Sequence, residues 1–344
     1  MNRWYEDCSN GQDVIVASRL RLARNFKNHL FPSKLSEEES EKLLTEVMNR
    51  LHNISTVDGK KYEALFLNDM NEVDRLSLKE RRAIHSDHGK KKQPAGLILS
   101  EDEGVSLVIN GDDHIRLQLL KTGDCLKEMW KSASEIDDYI NEQYEYAFDK
   151  KYGYLTTFPT NLGTGMRASL TLHLPALACG NNFRKLAGDM GRFGINIRGI
   201  FGEGRDNYGF LYEISNQKTL GQSEENIIDV VERIAGQLVS QEKKIRKMSF
   251  KEHKLEQVDE IYKSIGVLKY ARQLSLKETM IYLSHLMIGI AEGFIKVPET
   301  FNTYKLILGI LPANIQKLAD KPLTQGELNI ARADFVRAEL PNII

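Results

Sequence analysis

The chain has 344 residues, enough for a large hydrophobic core and for two domains of ordinary size. Its 47 basic and 48 acidic residues give a formal charge of −1, which argues against bulk binding of nucleic acid. The first residues lack the apolar stretch of a signal peptide, and no segment is apolar for the roughly 18 residues that a membrane span needs. Cys8, Cys125 and Cys179 stand apart without CxxC spacing, which favours a reduced, cytoplasmic setting.

The first half of the chain carries one clear helix signal and several strand signals. Ser36 and Glu39 form a capping box ahead of an apolar helical face. Residues 96–100 and 105–110 flank an acidic turn and predict a β-hairpin. In residues 170–174 leucines alternate with polar side chains, which predicts a strand with one buried face.

The second half changes from strands to helices. Residues 195–200 and 208–215 predict two further strands joined by a loop, and a helix is expected from Ser223. Two more capping boxes follow, each opening an amphipathic helix. They are formed by Ser275 with Glu278 and by Thr324 with Glu327. We therefore predict an α+β domain over residues 15–245 and an all-helical domain over residues 248–344.

The common nucleotide and zinc motifs are missing from the sequence. No GxxxxGK[ST] P-loop occurs, and the loop that begins Gly202-Glu203-Gly204 has Asn207 where the third glycine of GxGxxG belongs. His85 and His88 are three residues apart, but neither a cysteine pair nor an HExxH motif accompanies them. A metal site formed by the chain itself is therefore not expected.

Arginines recur beside predicted strand ends and glycine-bearing turns. Arg19 and Arg21 fall on one side of an extended segment, because side chains alternate along a strand. The whole set is Arg19, Arg21, Arg116, Arg167 and Arg198. Guanidinium forks bind phosphate oxygens in pairs, so such a set can hold a triphosphate without a P-loop. For any single arginine, a solvated surface position is the alternative.

Three blocks resemble the signature blocks of the phosphagen (guanidino) kinases. They run from Ser18 to Asn25 (SRLRLARN), from Pro159 to Ser169 (PTNLGTGMRAS) and from Arg198 to Glu203 (RGIFGE). In family members of the creatine and arginine type, a helical domain precedes the first block. Here the first block begins at residue 18 and the helical domain comes last. This order resembles the bacterial branch of the family that phosphorylates arginine in proteins.

The resemblance implies a fold and a nucleotide site. The fold is a large, mostly antiparallel sheet flanked by helices, of the glutamine synthetase/guanidino kinase catalytic-domain type. ATP is the implied phosphoryl donor, with Mg²⁺ bridging its phosphate oxygens and water. The implied nucleotide contacts are Ser18, Arg19, Leu20, Arg21, Leu22, His88, Arg116, Arg167, Ala168, Ser169, Leu170, Thr171, Arg198, Gly199, Ile200, Phe201, Gly202 and Glu203.

The resemblance also implies how the acceptor is treated. A guanidinium has a pKa above about 12 and is a poor nucleophile, so it needs carboxylates that orient it and accept a proton. Asp112 and Glu203 match the two substrate carboxylates of the family. The implied catalytic set is Asp112, Glu203, Arg116, Arg167 and Arg198.

Two departures from the family pattern fall on this acceptor side. Gly111 and Asp112 stand where the family has a glutamate pair, and a misplacement of about 1 Å can cost about 10²-fold in rate. Phe158 stands where the family usually has a cysteine, so a neutral ring replaces a sulfur that can be anionic. Further on, the phosphoarginine-pocket motif Arg-Asp-x-x-Arg-Ala aligns with residues 328–333, where only Arg332 and Ala333 match. Arg332 on an ordinary amphipathic helix is the alternative there.

Three functions remain open from the sequence. The first hypothesis is a kinase that phosphorylates arginine side chains of proteins. The resemblance then implies three partners: a zinc-finger activator protein, a heat-shock repressor as substrate and a Clp unfoldase that degrades tagged proteins. A kinase of a small free guanidino compound would be expected to carry the preceding helical domain. A nucleotide-binding pseudokinase that acts as a regulatory adaptor is the third, and Phe158 with Gly111-Asp112 favours it. We expect no nucleic-acid or membrane partner, and a homodimer formed through the helical domain is plausible.

Overall fold

The structure, a computed structural model, describes residues 2–8, 13–51, 53–85, 93–180, 183–201 and 207–341. Its strands are β1 (Ile15–Arg24), β2 (Tyr62–Phe66), β3 (Gly96–Ser100), β4 (Val105–Ile109), β5 (Ile115–Thr122), β6 (Phe148–Asp149), β7 (Gly153–Tyr154), β8 (Met166–His173), β9 (Ile195–Gly199) and β10 (Leu211–Asn216). Its helices are α1 (Glu37–Arg50), α2 (Ser55–Asp58), α3 (Glu72–Glu80), α4 (Leu126–Gln143), α5 (Pro175–Ala178), α6 (Phe183–Arg192), α7 (Glu224–Glu252), α8 (Lys254–Tyr270), α9 (Leu276–Ala291), α10 (Thr303–Gly309), α11 (Pro312–Gln316) and α12 (Gln325–Glu339).

One large antiparallel sheet organises the molecule. Within the described ranges it has eight strands in the order β2-β3-β4-β5-β1-β8-β10-β9. Strand β1 lies inside the sheet and pairs with β5 on one edge and β8 on the other. Arg21 consequently lies beside Gln118 on one neighbour and beside Arg167 on the other. The large antiparallel sheet flanked by helices, predicted from the sequence, is confirmed.

The two faces of the sheet are covered by different parts of the chain. Leu20 and Leu22 point into the main hydrophobic core, which α1, α4 and α7 complete. A second core is formed by helices after α7 and includes Val16, Leu120 and Leu211 of the sheet. The prediction that residues 170–174 have one buried face is wrong, because β8 is buried on both faces. On the second face Thr171 Oγ1 contacts Arg82, and His173 Nε2 lies 2.7 Å from Ser284 Oγ of α9.

Local signals located the starts of four helices. The three capping boxes are present with both of their hydrogen bonds at the starts of α1, α9 and α12. Ser223 caps α7 as expected, its Oγ accepting a hydrogen bond from the Asn226 N–H at 3.2 Å. The strand predicted at residues 208–215 begins only at Leu211. Gly209 (φ 74°) and Phe210 (φ 54°) lie in the left-handed region, so a 3-10 turn takes the place of its first residues.

Helix α7 runs through the predicted domain boundary at residues 245–248. It has 29 residues; its first part packs in the main core, and its last part contacts the helices that follow. Arg246 of α7 links the segment before β1 to the end of α9, since its Nη1 is 3.0 Å from Asp13 and 3.5 Å from Glu292. The division into two domains stays a prediction. Among the residues that the structure describes, no helix is long and apolar enough to span a membrane.

Candidate active site

The five predicted arginines lie on one face of the sheet, opposite to Leu20 and Leu22. The strands β1, β5, β8 and β9 supply them, at positions that alternate with residues of the main core. Arg82, from the turn after α3, joins them at the buried side of the group. We call Arg19, Arg21, Arg82, Arg116, Arg167 and Arg198 the arginine cluster.

The acid–base behaviour of the cluster reflects crowding of like charge. Burial and then Arg82 lower the pKa of Arg19 to about 9. Burial and then Arg19 lower the pKa of Arg21 well below its ordinary value. Burial also lowers the pKa of Arg116 and, together with Arg198, that of Arg167. A polyanion placed here would relieve this repulsion, so the face is suited to binding one.

Glu213 of β10 is the counter-ion of the cluster, and it was not foreseen from the sequence. The residue is 1% exposed, and its Oε1 accepts a hydrogen bond from Arg198 Nη2 at 2.7 Å. Its Oε2 accepts one from Arg82 Nη2 and lies 3.6 Å from Arg19 Nη1. Burial alone would raise the pKa of Glu213, but Arg82, Arg19, Arg21 and Arg198 hold it well below its usual range. The sequence signal that could have indicated this residue is a glutamate placed between Tyr212 and Ile214 on a buried strand.

Two polar groups inside the cluster fit a phosphate ligand. Arg21 Nε and Ser169 Oγ are buried and make no hydrogen bond within the described part of the chain. Ser169 and Thr171 of β8 are on the arginine face, and Thr171 Oγ1 accepts a hydrogen bond from Arg82 Nη1 at 3.2 Å. Buried donors of this kind normally have partners, so their position favours a site for an anion with many acceptor oxygens.

The block before Arg167 requires its glycines. Gly163 has φ 108°, and a Cβ there would lie 2.5 Å from Thr219 O. Gly165 has φ 63°, and a Cβ there would lie 2.6 Å from both Ala23 O and Arg24 Nη1. A side chain at Gly165 would therefore push the block away from β1, and one at Gly163 would push it away from the segment that follows β10. The close approach brings Arg167 into register beside Arg21.

The loop of Asp112 is held by a set of buried hydrogen bonds. Asp113 Oδ1 accepts from Asn25 Nδ2 at 2.7 Å and from the Thr157 N–H at 2.6 Å. Thr157 Oγ1 donates to Asp112 O at 2.7 Å, and the His114 N–H donates to Asn25 Oδ1 at 2.9 Å. Asp112 is close enough to Arg116 to raise the pKa of that guanidinium against the effect of burial. The predicted acceptor carboxylate thus borders the arginine cluster.

Phe158 follows this anchored loop directly and is 48% exposed. Its carbonyl accepts a hydrogen bond from Thr156 Oγ1 at 2.9 Å, which fixes the backbone while the ring stays in solvent. The departure from the family pattern is therefore a surface aromatic next to the acceptor side, and it fills no space in the core.

Several residues expected to touch the nucleotide point elsewhere. The side chains of Leu20, Leu22, Ala168 and Leu170 are fully buried in the main core on the opposite face. Ser18 is also on that face, where its Oγ donates to Gly123 O at 2.6 Å and accepts from the Cys125 N–H at 2.9 Å. Their backbone groups are occupied by sheet pairing, because β1 and β8 each have two neighbours. The nucleotide contacts expected of these five residues stay a prediction, and none of their side chains lies on the arginine face.

The remaining expectations divide between the rim and the undescribed residues. Gly199 is exposed at the end of β9, and Ile200 and Phe201 pack against the second core. His88, Gly202 and Glu203 lie outside the described residues. His85, which the sequence did not single out as a nucleotide contact, is near the cluster: burial, then Arg116, Arg21 and Arg19, lower its pKa to about 3.

Arg332 is neither a solvent-exposed residue nor an open ligand site. Its side chain is buried, with Nε donating to Ile310 O at 2.8 Å and Nη1 donating to Leu274 O at 2.9 Å. Nη1 also donates to Asn329 Oδ1 at 2.8 Å. The guanidinium therefore joins α12 to the segments before α9 and after α10.

Comparison with known families fits this geometry. The model of the ATP:guanido phosphotransferase C-terminal catalytic domain matches residues 42–245. The chain belongs to this family. The model of the protein-arginine kinase McsB C-terminal domain matches residues 254–343. The protein-arginine kinase of Halothermothrix orenii is 38% identical over 341 residues, covering 99% of this chain and 97% of the relative. That of Clostridium tetani is 38% identical over the full length of both chains.

Solved structures share the fold at lower identity. The duplicated taurocyamine kinase from Schistosoma mansoni, with bound transition-state-analogue components, has a TM-score of 0.60 and 24% identity. It covers 72% of this chain and 37% of its own. Lombricine kinase has a TM-score of 0.58 and 20% identity over 69% of this chain and 70% of its own. These likenesses show that the chain shares the fold of these two kinases.

In the described ranges, no group of three or more histidine, cysteine, aspartate or glutamate side chains is arranged to hold a metal ion.

Proposed function

We propose that the chain transfers the γ-phosphoryl group of ATP to arginine side chains of proteins. The observation that carries this is the cation-rich face: five of the six arginines lie around the buried carboxylate of Glu213, and the sixth, Arg116, lies near Asp112. Family membership and full-length similarity to named protein-arginine kinases support the same reaction.

In the proposed reaction the arginine cluster binds the phosphates of ATP, and Arg167, Arg198 and Arg116 stabilise the charge on the γ-phosphoryl oxygens. A guanidino nitrogen of the acceptor attacks the γ-phosphorus, the bond from phosphorus to the bridging oxygen breaks, and ADP leaves. Asp112 orients the acceptor guanidinium and accepts its proton, assisted by Glu203. Mg²⁺, carried on the phosphates, would neutralise part of the oxygen charge.

The nucleotide contacts that we propose are narrower than those expected from the sequence. They are Arg19, Arg21, Arg116, Arg167, Ser169, Thr171, Arg198 and Gly199, with His88, Ile200, Phe201, Gly202 and Glu203 kept from the family resemblance. The support for Arg19, Arg21, Arg116, Arg167, Ser169, Thr171 and Arg198 is that they share one face of the sheet. The support for Gly199 and the others is the motif match.

The cellular setting is also a proposal. The resemblance supports a cytoplasmic enzyme of the stress response and protein quality control. A zinc-finger activator protein, a heat-shock repressor as substrate, a Clp unfoldase acting on tagged proteins and a homodimer are its proposed partners. We propose no role for nucleic acid or a membrane.

A single assay tests the activity. The full chain is incubated with [γ-³²P]ATP and Mg²⁺, with an unfolded arginine-rich protein in one arm and free L-arginine in another. Acid-labile label on the protein is the expected result. Label on free arginine alone would indicate a kinase of a small guanidino compound.

The pseudokinase alternative is tested by the same assay together with nucleotide binding. Bound ATP without transfer to either acceptor, even with a zinc-finger activator of the related kinases present, would contradict the proposed function. Phe158 and the shorter Asp112 are the residues that favour this outcome.

A further inference from the structure

Glu213 differs from the other groups of the site in that it cannot touch the acceptor. The carboxylate is fully enclosed, and its described partners are guanidinium groups of Arg19, Arg82 and Arg198. These three arginines differ in freedom. The side chains of Arg19 and Arg82 are 7% and 9% exposed, whereas that of Arg198 is 56% exposed. Only Arg198 of the three can turn into solvent without unpacking its surroundings.

Arg82 is held from two directions. Its carbonyl accepts a hydrogen bond from Gln118 Nε2 at 2.6 Å, while Gln118 Oε1 accepts one from Arg19 Nε at 2.6 Å. Its Nη1 donates to Tyr304 Oη at 3.5 Å, and Tyr304 is a fully buried residue of α10 in the second core. Arg82 also has φ 69°, a conformation that a non-glycine residue keeps only where its surroundings hold it. The C-terminal helices therefore support the arginine cluster through the contact of Tyr304 with Arg82.

We propose that Glu213 is the positioning residue of the arginine cluster: it fixes Arg19 and Arg82 beneath the phosphates and holds Arg198 at the site until a phosphate oxygen binds it. Arg82, braced by Tyr304, keeps Glu213 paired when Arg198 turns from the carboxylate to a phosphate oxygen. This arrangement avoids an unpaired buried charge at every stage, which would otherwise be costly. The inference rests on the proposed function, because it assumes that the phosphates of ATP meet this face.

The test is Glu213→Gln in the full chain, with steady-state kinetics on ATP and an arginine-bearing protein. The substitution keeps the shape and removes the charge that orients three guanidinium groups. All six cations remain, so attraction of ATP in the ground state persists, but contacts made in the transition state are misaligned. We expect kcat to fall by about 10-fold or more, with the KM for ATP changing by less than about threefold.

A matched control separates positioning from general damage to the core. Glu242 is another fully buried glutamate, paired with Arg246 and bound by the N–H groups of Ala176 and Leu177 away from the cluster. Glu242→Gln should lower thermal stability without lowering kcat. Tyr304→Phe removes only the hydroxyl that braces Arg82 and should lower kcat by about threefold, again without raising the KM for ATP.

An unchanged kcat in Glu213→Gln, or a rise in the KM for ATP with kcat retained, would overturn the proposal. If Glu213→Gln does not fold, Glu213→Asp decides, because it keeps the charge and shortens the reach. A reduced kcat in the folded aspartate variant supports positioning, and wild-type kinetics there refute it. If the wild-type protein transfers phosphate to no acceptor, the proposed function and this inference are both refuted. If the wild-type protein is active and the variants are equally active, only this inference is refuted.

Discussion

Strand β1 carries buried arginines on both faces of the sheet, and their surroundings differ in one respect. On the core face, Arg24 makes a closed pair with Asp137: Nε donates to both carboxylate oxygens at 3.1 and 3.0 Å, and Nη2 donates to Oδ2 at 2.8 Å. Its Nη1 donates to Ala23 O and Thr164 O, and the ring of Tyr154 lies 3.6 Å from Cζ. On the other face, Arg19 and Arg21 belong to a cluster of six arginines, five of which interact with the one buried carboxylate of Glu213.

The comparison shows that burial of an arginine does not mark a functional site, whereas an excess of buried charge does. Arg24 has every donor group occupied and one carboxylate of its own, so the pair is complete within the protein. The arginine cluster is not complete, because its cations outnumber the carboxylates beside them. A protein keeps such an arrangement where a ligand supplies the missing charge.

The largest change in free energy is expected when the closed pair of Arg24 and Asp137 is broken. Arg24→Ala leaves Asp137 buried without its cation and should lower the free energy of unfolding by about 3–5 kcal/mol, measured by urea denaturation. Replacing both partners, as Arg24→Met with Asp137→Leu, should recover most of that loss. A loss below about 1 kcal/mol in Arg24→Ala would mean that the pair adds no more than a surface ion pair.

The next effect is expected at the acceptor side of the cluster. Asp112→Asn removes the charge with little change in shape, so transfer to arginine should fall by about 10²-fold, or about 2.7 kcal/mol, while ATP affinity stays within about twofold. Asn substituted for the exposed Asp138 of α4 is the control. Equal transfer by wild type and Asp112→Asn would remove Asp112 from the reaction. A faster Asp112→Glu variant would identify the chain as a weakened kinase, and a slower one would show that the loop is adapted to aspartate.

Within the cluster, the shape of the cation should matter as well as its charge. Arg167→Lys keeps the charge but loses the planar fork, so kcat/KM for ATP should fall by at least about 10-fold, or about 1.4 kcal/mol. Arg192→Lys is the matched control, because that side chain on α6 is 84% exposed. If both variants keep wild-type kinetics and ATP affinity, Arg167 does not bind the phosphates.

The smallest effect concerns acid stability. The pKa of Glu213 is lowered in the folded chain, so its ionised form contributes stability that is fully present above the ordinary pKa of about 4.3 and is lost as the pH falls through the lowered value. The difference in unfolding free energy between wild type and Glu213→Gln should therefore be constant from pH 5 to 7 and shrink below about pH 4.3. A difference that grows on acidification would contradict the role of Glu213 as an anionic counter-ion.

Local sequence carried the information on several helix starts, on the five arginines that share one face of the sheet and on the glycine block. A capping box depends on groups three residues apart, and the placing of Arg19 with Arg21 depends only on the alternation of a strand. Gly163 and Gly165 were recognised through their motif, and the structure adds the reason, which is the contact of their backbone with Thr219 and Ala23. These features need no knowledge of the rest of the chain.

The charge balance of the site depended on tertiary structure. Glu213 and Arg82 are 131 residues apart, and neither belongs to a recognised block, so no local pattern pairs them. The same holds for β8, whose alternation predicted one buried face, because Arg82 and Ser284, which contact Thr171 and His173 on its second face, are 89 and 111 positions away. The sequence by itself determined which side chains share a face of a strand. Only the tertiary structure decided what lies against that face, because burial and ion pairing depend on segments that meet after folding.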